Sequence, residues 1–231
     1  MIIFYDFDGT LTPYSFPKYE ILKKCNVDNE SFMKLVKIRM DKYNIDLYKA
    51  YYESFFDLIK DSGYLLTKDN ICTGSKDIEF NNGVFEFFNF FTKENIYHYI
   101  VTSGIEEYVK DTKISKYVTG IFGSTFSYHK DSYKVNRLVT SNDKVEVIKK
   151  VLEEYRDVDI FYLGDGLTDM EAFEYIHSIG GKSIFLSKDL VNDEIYKMLK
   201  EKDIIDECFK PDFSIEGSIF QYFNNILNRR D

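Results

Sequence analysis

Residues Met1–Thr12 read MIIFYDFDGTLT. The run from Ile2 to Tyr5 is short, β-branched and aromatic, which predicts a buried strand. That strand delivers Asp6 and Asp8 to its end, and Gly9 then lets the backbone turn sharply. Two carboxylates one residue apart repel unless something cationic sits beside them. A metal ion together with a phosphorylated substrate meets that need, although Asp and Gly are also ordinary turn residues.

Outward from this stretch, 231 residues can bury one good core, with room for a smaller inserted unit. Thirty Lys and Arg against 39 Asp and Glu give a net charge of −9, which disfavours a nucleic acid polymer as partner. Cys25, Cys72 and Cys208 match no metal spacing and read as reduced thiols. No apolar run approaches the ~20 residues that span a bilayer, and Asp6 and Asp8 interrupt the place where a signal peptide is apolar. The expectation is a cytoplasmic protein without a membrane partner.

After Pro13–Pro17, a loop by its prolines, apolar residues recur at helical spacing in Lys18–Cys25, Glu30–Tyr43 and Leu47–Ser62. Phe32, Leu35, Val36 and Arg39–Met40 continue one face of the second helix. Leu47, Tyr51, Phe55, Leu58 and Ile59 make a broad apolar stripe on the third. Asn29 or Glu30 and Asp46 sit at helix starts, and a short helix is expected in Lys68–Ser75. From Asn81 onward, helices alternate with strands at Ile96–Val101, Tyr117–Phe122, Asp159–Leu163 and Lys182–Leu186. Ser124–Val139 alternates polar with apolar residues and reads as a hairpin, and Asp143–Tyr155 as an amphipathic helix. Such alternation implies βαβ units and a mainly parallel sheet.

Ligands of open parallel sheets bind beyond the carboxyl ends of the strands. Three strands here end in polar, glycine-bearing turns: Asp6–Gly9, Thr102–Ser103–Gly104 and Gly164–Asp169. Lys144 begins the helix leading into the third, with Lys134 as a nearby alternative. Carboxylates, a hydroxyl, a lysine and free amides suit phosphoryl transfer, with Mg2+ on the carboxylates and the other groups on phosphate oxygens. One Asp can serve as nucleophile.

These four segments, in this order, resemble the motifs of the haloacid dehalogenase (HAD) superfamily: DFDGTLT the first, the end of YIVTSGI the second, Lys144 the third and GDGLTDM the fourth. The resemblance implies a Rossmann-like three-layer αβα core with a mainly parallel sheet. It also implies a small all-α cap, 13–80, inserted after the first strand, with 1–12 and 81–231 as the core. Asp6 would take the phosphoryl group and bind Mg2+. Asp8 would act as acid and base, its carbonyl also meeting the metal. Gly9, Thr102, Ser103, Gly104 and Lys144 would hold the phosphate, Asp165 would be a metal ligand, and Asp169 would hold the metal or its water.

The implied activity is a phosphatase acting on a small phosphorylated substrate through an aspartyl-phosphate. A phosphotransferase or mutase, or a silent binding protein on the same fold, are the alternatives. The four-residue interval from Asp165 to Asp169 is like that of phosphoserine phosphatase, but no acidic and basic pair for reading an amino acid stands out. Lys18 and Arg39 are the candidate cap cations, and Tyr14, Phe16 and Tyr43 the candidate ring-stacking residues. His98, His129 and His177 have no partner at ligand spacing.

Overall fold

In a computed structural model of the chain, residues 1–14, 21–94 and 96–229 are described. Phe16, Lys18 and most of the loop expected at Pro13–Pro17 lie outside them. The first strand, β1 (Ile2–Tyr5), is buried at every position and lies between two parallel neighbours. Its β-branched and aromatic residues suit a central strand covered on both faces.

The described helices of the first third are α1 (Ile21–Lys24), α2 (Asn29–Tyr43), α3 (Leu47–Asp61) and α4 (Lys68–Ile71). Asp28 caps α2 by accepting from the Ser31 amide, one residue before the expected start, and Asp46 caps α3 through the Lys49 amide. Phe32 and Val36 are buried on α2, but Leu35 is exposed, because the inner face of that helix is a narrow one. α3 buries a second side as well: Tyr52 and Phe56 pack on Phe126, with ring centroids 4.8 and 5.0 Å away.

The remainder runs α5 (Val84–Phe91), β2 (Tyr97–Ile105), α6 (Glu106–Asp111), β3 (Gly120–His129), β4 (Ser132–Arg137), α7 (Ser141–Leu152), β5 (Ile160–Gly164), α8 (Met170–Ser178), β6 (Lys182–Leu186), α9 (Glu194–Glu201), β7 (Glu207–Phe209) and α10 (Ser218–Leu227). The described strands form one sheet in the order β4-β3-β2-β1-β5-β6-β7, parallel except for β4. The hairpin expected in Ser124–Val139 is present as the antiparallel pair β3–β4, and its first strand is continuous with the strand expected at Tyr117–Phe122. β3 is one continuous strand whose first half pairs with β2 and whose second half pairs with β4.

Alternation along β1 divides the core. Ile2 and Phe4 join Ile148 of α7, Phe173 and Ile176 of α8 and Leu199 of α9. Ile3 and Tyr5 join Phe87 and Phe88 of α5 and Phe223 of α10. Helices therefore cover both faces, the three-layer αβα arrangement. Chain order runs outward from β1 in both directions, through β2 and β3 on one side and β5 and β6 on the other. The carboxyl end of β1 is thus the switch point where such sheets bind ligands.

Candidate active site

Asp6 follows β1 directly, its amide donating to the Leu163 carbonyl of β5 at 2.8 Å. Across the switch point lies Lys144, in the first turn of α7. Thr140 and Asp143 form a capping box that sets the start of this helix. The side chain of Lys144 is completely buried, and Nζ donates to Asp6 Oδ1 and to Asp169 Oδ1, each at 2.6 Å. Burial alone would lower this ammonium, but Asp169 and then Asp6 outweigh it and hold the lysine above its ordinary value. Lys134, the alternative, is exposed on β4.

Asp169 has both carboxylate oxygens occupied. Oδ1 also accepts from the Tyr162 hydroxyl at 2.6 Å, and Oδ2 accepts from the amides of Asp165 and Gly166 at 3.2 and 3.1 Å. A Cβ on Gly164 would lie 2.6 Å from Asp169 Cγ, so glycine is required where β5 passes this carboxylate. Asp165 Oδ1 accepts from Thr10 Oγ1 at 3.1 Å. Neither Thr10 nor Tyr162 stood out in the sequence. Thr10 lies within the first motif, whereas Tyr162 is hidden in the apolar run of β5.

Asp6, Asp165 and Asp169 each present a carboxylate oxygen within 4.8 Å of the others. Burial, moderated by Lys144 and reinforced by Asp169, pushes the Asp6 carboxyl up to about 6. Burial and then the charges of Asp6 and Asp169 raise Asp165 well above the carboxylate range. Three crowded carboxylates facing one lysine leave a deficit of positive charge, and hard oxygen donors suit a divalent cation such as Mg2+.

The second motif lies at an irregularity in the sheet. β2 slips its register against β3 between Val101 and Ile105, and Thr102–Gly104 occupies the slip. The strand does not end at Thr102 as expected; it resumes and runs to Ile105. Thr102 Oγ1 accepts from the Gly104 amide at 2.9 Å, which leaves its hydroxyl proton to donate elsewhere. The Ser103 carbonyl accepts from Ser124 Oγ at 2.9 Å and from the Tyr52 hydroxyl of α3 at 2.5 Å. Asp8 lies against this turn, since a Cβ on Gly104 would stand 3.0 Å from Asp8 Oδ2.

A cavity of ≈ 260 Å³ joins these groups. Asp6, Asp8, Thr102–Gly104 and Thr168 line its floor, and Met33 of α2 with Leu47, Tyr48, Tyr51 and Tyr52 of α3 line its upper side. The fold therefore brings Asp6, Asp8, Thr102, Ser103, Gly104, Lys144, Asp165 and Asp169 around one switch point. Gly9 stands beside Asp165, at φ +89°, where a Cβ would meet Asp165 Oδ2 at 2.0 Å.

The expected cap residues fare differently. Arg39 is held away by ion pairs to Glu53 and Asp57 of α3, at 3.2 and 2.5 Å. Tyr14 and Tyr43 are exposed and do not line the cavity.

By sequence, no protein-family model and no curated protein matches the chain. By structure the matches are extensive. The chain has the HAD fold. A HAD family hydrolase from Salmonella enterica serovar Typhi superposes with a TM-score of 0.69 at 14% identity, over 93% of this chain and 69% of that one. An apo phosphoserine phosphatase gives 0.66 at 19% identity, over 98% and 97%. A structure described as a phospho-aspartyl intermediate analogue of phosphoserine phosphatase gives 0.67 at 19%, over 97% of each. At these identities the likeness establishes the HAD architecture. Among the described residues, no helix is long and apolar enough to cross a membrane.

Proposed function

We propose that the chain is a Mg2+-dependent phosphatase that hydrolyses a small phosphorylated metabolite through an aspartyl-phosphate at Asp6. The observation that carries this reading is the buried Lys144 bridge between Asp6 and Asp169, set beside Asp165 at the switch point of a HAD fold. A buried cation clamped by two carboxylates is costly to build for stability alone, and perturbed groups of this kind mark reaction sites.

In the first step a carboxylate oxygen of Asp6 attacks phosphorus and the ester P–O bond breaks. The Asp8 carboxyl gives its proton to the departing alcohol. In the second step Asp8 takes a proton from water, whose oxygen attacks the phosphoryl group and frees Asp6. The Thr102 hydroxyl and the Ser103 amide hold phosphate oxygens, the Gly104 amide holds Thr102 Oγ1 in place, and Lys144 offsets charge on Asp6 and the phosphoryl group. Mg2+, held by Asp6, Asp165 and the Asp8 carbonyl, would offset the remaining negative charge. Asp169, with every oxygen engaged, orients Lys144 and the Asp165 turn. Residues 13–80 act as the cap over a core made of 1–12 and 81–231, excluding water from the reacting groups.

The test is turnover of p-nitrophenyl phosphate and a panel of phosphorylated metabolites by the purified chain with Mg2+. Release of phosphate that is abolished by Asp6→Asn and by a chelator is expected. Activity across the whole panel no higher than that of Asp6→Asn would overturn the assignment.

A further inference from the structure

The upper side of the cavity is aromatic and held rigidly. Leu47, Tyr48, Tyr51 and Tyr52 fall on one side of α3 at the spacing that aligns side chains along a helix. The Tyr48 hydroxyl bonds Ser141 Oγ at 2.6 Å and accepts from the Ser141 amide at 3.0 Å. The Tyr52 hydroxyl bonds the Ser103 carbonyl, and its ring stacks on Phe56 at 6.1 Å between centroids. Tyr51 stands edge-on to Phe32 at 5.1 Å and to Tyr52 at 5.5 Å. Two of the three tyrosines are thus fixed by their hydroxyls and the third by its neighbours. A ligand lying against them need not order them on binding.

Among the described residues, the charged side chains lining the cavity are Asp6 and Asp8. The side chains that α2 and α3 contribute are uncharged, because Arg39 is committed to Glu53 and Asp57 elsewhere. An apolar cavity of about 150 Å³ admits a benzene ring. A space of ≈ 260 Å³ therefore has room for one ring and a phosphoryl group together.

Resting on the phosphohydrolase reading above, we propose that the site selects phosphate monoesters of an alcohol bearing an uncharged planar ring, packed against Tyr51 and its neighbours. Aromatic rings favour offset or edge-on partners, which the fixed wall offers, and a zwitterionic alcohol finds no paired charges on the described part of that wall. Tyr51 is the specificity-determining residue. Its half-buried ring lines the cavity, whereas the Tyr52 ring is buried and the hydroxyls of Tyr48 and Tyr52 are bonded to Ser141 and to the Ser103 carbonyl.

Calorimetric titration of the whole chain, with Mg2+ present, separates this inference from the function on which it rests. The probes are methylphosphonate, benzylphosphonate and L-2-amino-4-phosphonobutanoate, none of which can be hydrolysed at phosphorus. Benzylphosphonate is expected to bind roughly tenfold more tightly than methylphosphonate, and the amino acid analogue no more tightly than methylphosphonate. Tyr51→Ala should bring the benzyl-to-methyl ratio towards one, and Tyr51→Phe should keep it. Equal binding of the benzyl and methyl probes, tightest binding of the amino acid analogue, or an unchanged ratio in Tyr51→Ala would overturn the inference. If methylphosphonate binds and Asp6-dependent turnover is seen without ring preference, this inference alone falls. If no phosphonate binds and no ester is turned over, the phosphohydrolase reading falls with it.

Discussion

Lys144 Nζ and Asp6 Oδ1 stand 2.6 Å apart, although 138 residues separate them in sequence and neither side chain is more than 7% exposed. The pair forms because β1 and α7 both direct their site residues to the switch point of the sheet. Lys144→Met keeps the volume and removes the charge, leaving Asp6 and Asp169 facing each other. Breaking a buried pair in this way costs about 3–5 kcal/mol. Urea denaturation at pH 8 with a chelator present should show a loss of that order, and phosphatase turnover should fall to the level of Asp6→Asn.

Gly9 tests how closely the first motif fits Asp165. Its φ of +89° is a conformation that alanine adopts only with strain, and the added methyl would sit 2.0 Å from Asp165 Oδ2. Gly9→Ala should cost more than about 1 kcal/mol from the backbone alone. Because the Asp165 carboxylate must also move, the rise in melting temperature produced by Mg2+ in the parent chain should shrink or vanish in the variant. An undiminished rise would show that Asp165 is not a ligand.

The bond between Tyr162 and Asp169 shows where the sequence stops being informative, since Asp169 is legible from its motif and Tyr162 is not. The first-motif carboxylates and the glycine-bearing turns are local patterns, and each is legible because its chemistry lies within a few residues. Asp46 and the strand β1 are legible for the same reason. The hairpin of β3 and β4 is legible from its alternation, but the continuity of β3 is not, because a strand that changes partners halfway carries no local sign of it. Tyr14 and Tyr43, the described candidates for ring stacking, do not line the cavity, and the tyrosines that do are Tyr48, Tyr51 and Tyr52. Periodicity marks which residues of α3 are apolar, but not which of its sides meets the cavity and which meets Phe126.

Tyr162→Phe removes one of the donors on Asp169 without altering the shape of β5. A hydrogen bond to a charged group contributes about 1.5–3 kcal/mol, and with Lys144 and two amides still in place the lower figure is expected. The measurement is the urea midpoint of the variant. Turnover should fall less than in Lys144→Met, since the hydroxyl reaches Asp169 and not the nucleophile.

His98 supplies a pH dependence remote from the reacting groups. It is 1% exposed on β2, shares a 2.9 Å hydrogen bond with the Tyr5 hydroxyl and packs against Phe88 with ring centroids 4.8 Å apart. Burial pushes its pKa down to about 3. In the unfolded chain the same imidazole takes up a proton near its ordinary value of about 6.5. Below that pH the unfolded state binds more protons, so the contribution of His98 is complete above pH ~6.5 and is lost steadily as pH falls towards 3. Asp6 acts in the opposite sense: its raised pKa removes stability as pH rises through about 6. The comparison that isolates the histidine is therefore parent against His98→Gln, by urea denaturation at pH 7.5 and pH 5. Between these values the parent should lose about 2 kcal/mol more than the variant, from 1.4 kcal/mol per pH unit below 6.5. Equal losses in the two proteins would show that His98 is protonated in the folded core.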